Sequence, residues 1–273
     1  MPADSSILQP DPAAFPPRHY RTVLFYGEAA FRRITEAAVT VVGLGGVGAH
    51  AAVNLARSGL GALHLVDFDT VAESSLNRSP FAEPGDIGRL KTDALRDFLI
   101  RACPDTKVTV TEAFCGEDTL PQVIPVEPGS RPDLVIDAID SLNTKVTLLA
   151  WCASHNIPVV ASMGAAGKWD VGKVRTGDLA ESTICPLARK VRSRLKRRGI
   201  TGAIPAIWSI EKASAHRPAA PREVREIADT ETAPSYTTTR ERHTLASQMT
   251  LPGVFGYGLA AMALDHLSRE DDA

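Results

Sequence analysis

The chain is poor in cysteine: its 273 residues contain four, Cys103, Cys115, Cys152 and Cys185, and none of them forms a C-x-x-C pair. That spacing excludes a zinc knuckle and a redox dithiol, and free thiols suit a reducing compartment. Residues 1–6 lack the basic and apolar segments of a secretory leader, and no uninterrupted apolar run approaches the roughly 20 residues of a membrane span. A cytoplasmic location with no membrane partner is the expectation. No internal repeat is present. An excess of one charge is lacking too, since 30 basic and 32 acidic residues leave a formal net charge of -2. The average charge therefore identifies no partner, and only local clusters inform. With 44% hydrophobic and 23% charged residues, the composition is that of a globular protein with a sizeable core.

What the chain does have is Gly43-Leu44-Gly45-Gly46-Val47-Gly48, set between the apolar run Val39-Thr40-Val41-Val42 and a helix-like stretch from Ala49 to Arg57. Glycines let the backbone turn sharply from strand to helix and bring bare N–H groups against phosphate oxygens, with the helix dipole favouring the anion. A second apolar strand, Leu63-His64-Leu65-Val66, ends in Asp67 roughly 20 residues further on, where a carboxylate would accept hydrogen bonds from a ribose. Together these features predict a nucleotide site.

Strand and helix patterns alternate from there. Strands are predicted over 38–42, 62–66, 107–111, 134–138 and 157–161, with a helix over 48–58. Leu90, Ala94, Leu95, Phe98, Leu99 and Ala102 fall at helical spacing. The expected fold is α/β, a Rossmann-like, doubly wound, mainly parallel sheet with ligands at the carboxyl ends of its strands. Gly43, Asp67 and Asp140 then share one rim. Residues 1–273 are read as a single domain. Beyond Gly164 the rhythm changes to short glycine-punctuated segments. Residues 211–248, rich in Pro, Thr, Arg and Glu, hold few large apolar side chains and are expected to form a mobile loop. An apolar helix over 254–264 packs back on the sheet.

The charges between the strands argue against hydride chemistry. Asp67-Phe68-Asp69, Asn77-Arg78, Lys91 and Asp137-Ala138-Ile139-Asp140 bring two cations and several acids towards the phosphate rim. Nucleotidyl transfer needs such a set: cations for a triphosphate, a carboxylate for Mg²⁺ and an anchor for the ribose. A nicotinamide-dependent oxidoreductase would leave Arg78, Lys91 and Asp140 without a task, and an idle scaffold would not require them. Taken singly, Arg78 and Lys91 also read as solvated surface charges, and Asp137 or Asp140 as a helix N-cap.

At these residues the chain resembles the ubiquitin-activating superfamily of adenylating enzymes, the ThiF-type group that contains molybdopterin-synthase and thiazole-pathway adenylyltransferases. The resemblance implies ATP and Mg²⁺. It puts Asp67 on the ribose, Arg78 and Lys91 on the triphosphate and Asp140 on the metal. Gly43, Gly45, Gly46, Gly48, Asp69 and Asn77 complete the nucleotide-binding set. Ser75 stands where relatives usually carry an asparagine. An arginine supplied in trans by a homodimer partner is also implied, with Arg18 and Arg21 both open as its source.

Within that superfamily the chain resembles the tRNA threonylcarbamoyladenosine dehydratases most fully, through Phe25-Tyr26-Gly27, Asp178-Leu179-Ala180, Pro186 to Arg192, Trp208-Ser209-Ile210-Glu211 and Phe255-Gly256. That resemblance implies ATP-dependent activation of the threonylcarbamoyl carboxylate on a tRNA adenosine, then ring closure with loss of AMP and, net, of water. A sulfur-transfer accessory protein is left open as a partner.

The residues themselves agree in kind. Arg189, Lys190, Arg192, Arg194, Lys196, Arg197 and Arg198 crowd into ten positions whose apolar members Leu187, Val191 and Leu195 recur every fourth place. Such a helix docks by its apolar stripe and offers a basic face to tRNA phosphates, although a solvated helix face reads the same way. Lys145, Lys168 and Lys173 are candidates to extend that face. Cys185, at the start of the basic helix, carries the alternative function: an adenylyltransferase that activates the C-terminus of a ubiquitin-like sulfur-carrier protein, with this thiol as acceptor.

Overall fold

The computed structural model describes residues 14–212 and 246–269. Two helices, α1 (Tyr20–Tyr26) and α2 (Glu28–Glu36), precede β1 (Ala38–Val42). The chain then alternates through α3 (Gly46–Arg57), β2 (Ala62–Asp67), α4 (Lys91–Ala102), β3 (Lys107–Glu112), the short α5 (Leu120–Val123), β4 (Leu134–Asp137), α6 (Leu142–Ser154) and β5 (Val159–Ser162). It continues through β6 (Val174–Asp178), α7 (Pro186–Arg197), β7 (Pro205–Ser209) and α8 (Thr250–Ser268).

The seven strands form one sheet in the order β3-β2-β1-β4-β5-β7-β6, parallel throughout except for the antiparallel pair β6–β7. Buried parallel strands must be apolar on both faces. Accordingly Val39, Thr40, Val41 and Val42 in β1 and all four residues of β4 are buried. The strand order reverses across the β1–β4 pair, the place where doubly wound sheets leave a crevice for ligands. Register fixes the rim: Val42 pairs with Val66 on one side and Asp137 on the other, so the three strands end level.

Helix α8 lies against α3. It is buried along much of its length, from Leu251 and Phe255 to Leu259, Ala260, Ala263 and Leu264. A Cβ added at Gly256 would come within 2.5 Å of Val47 O and His50 Cβ, so the two helix backbones approach at a glycine.

The predicted doubly wound sheet, the basic helix and the C-terminal helix are all present. The glycine helix begins at Gly46 instead of Gly48, because Gly45 already takes the N-cap position. Most of the segment expected to be a mobile loop, 211–248, lies outside the described residues; 211–212 and 246–248 are described. The glycine-punctuated segment after Gly164 holds an edge hairpin-like pair, β6 on β7, into which α7 is inserted.

Candidate functional site

The nucleotide-type loop is built by two glycines that nothing larger could replace. Gly43 has φ +90°, and a Cβ there would stand 2.9 Å from Ala138 O; one at Gly48 would lie 1.8 Å from Gly43 O. The strand can therefore fold straight into α3 hard against the end of β4. No side chain caps the N-terminus of α3. Its first-turn amides are left for an anion or water, with the positive end of the helix dipole behind them.

Asp67, at the end of β2, fastens this loop. Its Oδ2 accepts from the Leu44 amide at 2.6 Å and its Oδ1 from the Asp69 amide at 2.8 Å. Burial pushes the Asp67 carboxyl above the usual carboxylate range, while Lys91 and the two amide bonds pull it back. Two residues on, Asp69 accepts from Lys91 Nζ at 2.9 Å, and Lys91 opens α4 on the same rim.

Arg78 ends a 3₁₀ turn that crosses the loop. Its Cγ lies 3.2 Å from where a Gly46 Cβ would be, so only a glycine lets the arginine lie this close over the α3 N-terminus. The guanidinium donates to Ser74 O at 2.6 Å and to Asn77 Oδ1 at 3.1 Å, and Asn77 in turn donates to Ser247 O. Gly45, Gly46, Ser75, Arg78, Ser79 and Lys91 are among the residues lining one cavity. Arg78 and Lys91, far apart in sequence, are thus brought to one cavity. Ser79 is a lining residue that sequence reasoning missed, and the sequence signal for it was its adjacency to Asn77-Arg78.

Asp140 follows β4 on the same rim, and its side chain is exposed. Asp137, its neighbour in the motif, has a different part. Both it and Lys145 are fully buried, with Lys145 Nζ 2.6 Å from Asp137 Oδ2 and the Ile139 amide on Oδ1. Burial pushes the Asp137 carboxyl upward, and Lys145 opposes the rise. Nothing in the residue order of 137–145 distinguishes this internal pair from a surface one.

Several expectations for the basic face need correction. Lys145 cannot extend it, being inside the protein. Lys168 is also buried, donating to Gly164 O at 2.8 Å, and desolvation lowers its ammonium below the ordinary value. Lys173 is occupied by Asp170 at 3.1 Å. On α7, Val191 and Leu195 are buried as expected, with Ala188 beside them. Arg192, however, turns inward and donates to the Ser182 carbonyl and hydroxyl, and Arg194 donates to Asn143 Oδ1 on α6. Arginine planarity suits such multiple bonds, which a spacing argument cannot see.

The thiol at the start of α7 is similarly placed. Cys185 is 3% exposed, packed in a cluster with Val146, Met163 and Ala188, so its sulfur is not presented to a macromolecular acyl donor. Burial raises Cys115 and Cys152 to about 12, which fits them as inert core thiols. Of the two candidate arginines near the start, Arg18 is held by both oxygens of Asp105, while Arg21 is exposed with no ion-pair partner among the described residues.

A parallel sheet that turns through glycines into a helix at its topological switch point, with an arginine and a lysine over that turn, places the chain in the class of Rossmann-like, doubly wound α/β proteins. The sequence model of the ThiF family matches residues 18–271, and the chain belongs to that family. The chain is 39% identical over 197 residues to tRNA threonylcarbamoyladenosine dehydratase 2 of Saccharomyces cerevisiae, covering 70% of this chain and 42% of that protein. It is 38% identical over 175 residues to the tRNA threonylcarbamoyladenosine dehydratase of Escherichia coli, 64% of each. The chain therefore spans less than two thirds of either relative by sequence. The crystal structure of the E. coli enzyme in complex with ATP superposes with a TM-score of 0.78 at 30% identity, over 93% of this chain and 95% of that one.

Proposed function

We propose that this chain is an ATP-dependent dehydratase that cyclises threonylcarbamoyladenosine in tRNA through an acyl adenylate. The observation that carries the reading is the cavity in which the α3 N-terminus, Arg78 and Lys91 meet, in a chain whose relatives bear that name. ATP is a substrate here. Its phosphates meet the amides of the Gly43–Gly48 turn, Arg78 and Lys91, and Asn77 holds the arginine in place. Lys91 is aimed by its bond to Asp69. Asp67 retains acceptor capacity on each oxygen beyond its two amide bonds, enough for a ribose hydroxyl.

No group of three or more metal-ligating side chains occurs among the described residues. Mg²⁺ takes one or two carboxylates together with phosphate oxygens and water. The exposed Asp140 would hold it, and the ion would supply charge neutralisation at the phosphates.

The threonylcarbamoyl carboxylate attacks the α-phosphorus and pyrophosphate leaves. A nitrogen or oxygen of the same nucleoside then attacks the acyl carbon, loses its proton and expels AMP, so the net loss is one water. The protein's task is positional and electrostatic; no side-chain nucleophile is needed. A cytoplasmic homodimer, with Arg21 as the residue offered to the partner, completes the reading.

AMP and pyrophosphate release from Mg-ATP should depend on tRNA carrying threonylcarbamoyladenosine, with that nucleoside losing the mass of one water. Asp140→Ala should reduce pyrophosphate release by about 10²-fold or more without lowering the melting temperature. Near-normal release by that variant would remove the metal assignment. Release that ignores tRNA and responds to a small carrier protein would replace the dehydratase reading.

A further inference from the structure

The basic residues of α7 divide into two stripes. Arg189, Arg192 and Lys196 stand three, four and seven residues apart and line a cavity of about 600 Å³ together with Asp178 and the loop Thr201-Gly202. Lys190, Arg194 and Arg197 form the second stripe, on the side where Arg194 reaches α6. Cavity and ATP site are at opposite ends of the sheet. The glycine loop follows the carboxyl end of β1, whereas Thr201-Gly202 precedes β7 and Asp178 closes the antiparallel β6.

We propose that this second cavity binds a backbone phosphate of the tRNA with its nucleoside, anchoring the substrate away from the reacting group. The inference rests on the tRNA reading given above. Its volume falls in the range of about 300–1,000 Å³ typical of ligand pockets. Arg189 and Lys196 are exposed and make no ion pair among the described residues, while Arg192 adds charge from a fixed position on Ser182. The single acid in the lining, Asp178, is engaged by the Ala180 amide at 2.9 Å and the Ile204 amide at 3.4 Å, which offset its repulsion of an anion. Leu179, Leu195 and Ile204 give the cavity an apolar side suited to a sugar or base. Arg189, Arg192 and Lys196 stand in line along seven residues of α7, a span of about 10 Å. A line of that length fits a polyanion better than one small phosphate ester.

The test is charge reversal of one stripe at a time in the full chain. Arg189→Glu with Lys196→Glu should weaken binding of the threonylcarbamoyladenosine-bearing tRNA at least tenfold. It should also lower the slope of log affinity against log salt by about two. Lys190→Glu with Arg197→Glu should change the affinity less than threefold. ATP binding should be unchanged in both, and the neutral pair Arg189→Gln with Lys196→Gln should show the same direction with the wild-type melting temperature. Equal losses from the two stripes, or none from the first, overturn the cavity as an anchor even if the wild type binds and modifies tRNA. A wild type that binds no tRNA defeats the dehydratase reading and this inference together.

Discussion

Asp69 with Lys91 and Asp137 with Lys145 are the same pair of residue types, each joining the end of a strand to the helix that follows it. The first pair is partly open, with side chains 37% and 13% exposed, and its lysine borders the cavity beneath Arg78. The second is sealed, with both side chains at 0%. A partly hydrated lysine can exchange its aspartate for a phosphate at little cost, because water already screens the pair. A lysine with no route to solvent cannot. On the proposed function, chemistry and structure are divided between two similar motifs by burial alone.

The sharpest way to break this comparison is at the sealed pair. Lys145→Ala leaves a buried carboxylate without its cation and should destabilise the fold by about 3–5 kcal/mol, read from denaturant midpoints. Asp137 would then have a raised value in the folded state only, so the loss should be greatest at neutral pH and shrink as pH falls towards the ordinary carboxylate value near 4. The double variant Asp137→Asn with Lys145→Met should recover much of the stability. At the open pair the balance reverses. Lys91→Ala should reduce AMP formation by about 10²-fold yet alter stability by less than about 1 kcal/mol. If Lys91→Ala instead unfolds the protein with activity intact per folded molecule, the distinction fails.

A third pair extends the series to the surface. Arg18 and His19 hold the Asp105 carboxyl at about 2, the Arg18 side-chain bond being the larger cause. A lowered carboxylate contributes stability above its unfolded value near 4 and loses it as pH falls towards 2. Asp105→Asn should therefore lower the melting temperature slightly at neutral pH and flatten the acid limb, the difference from the unsubstituted chain closing as pH falls from about 4 to about 2, a small effect visible in melting temperatures taken between about pH 2 and 7.

Much of this was readable from residue order, for a physical reason. The turn from β1 through Gly43 to Gly48, the acid at the end of β2 and the arginine and lysine that follow depend on local backbone demands, and local demands leave local patterns. Strand runs such as Leu134-Val135-Ile136 announce burial on both faces. The antiparallel β6 left no such trace, since Val174-Arg175-Thr176-Gly177-Asp178 is an edge strand of intermediate and exposed residues whose partner β7 lies across the whole of α7. The same limit explains the lysines. Lys145 and Lys168 read as surface charge because their partners, Asp137 on a neighbouring strand and the carbonyl of Gly164, are supplied only by folding. The divided face of α7 was equally hidden, because spacing gives a stripe but not what stands opposite it.

The cover of α3 by α8 has a consequence for synthesis. Helix α3 leaves the ribosome well before the helix packed on it, which spans residues 250–268. Between the two come every strand from β2 to β7. A nascent chain therefore carries a complete glycine turn long before it has the surface that holds that turn's helix in place. Since Gly256 admits no Cβ against Val47 and His50, that late step is a close docking with little tolerance, and a chain stalled before residue 250 would display the turn without its cover.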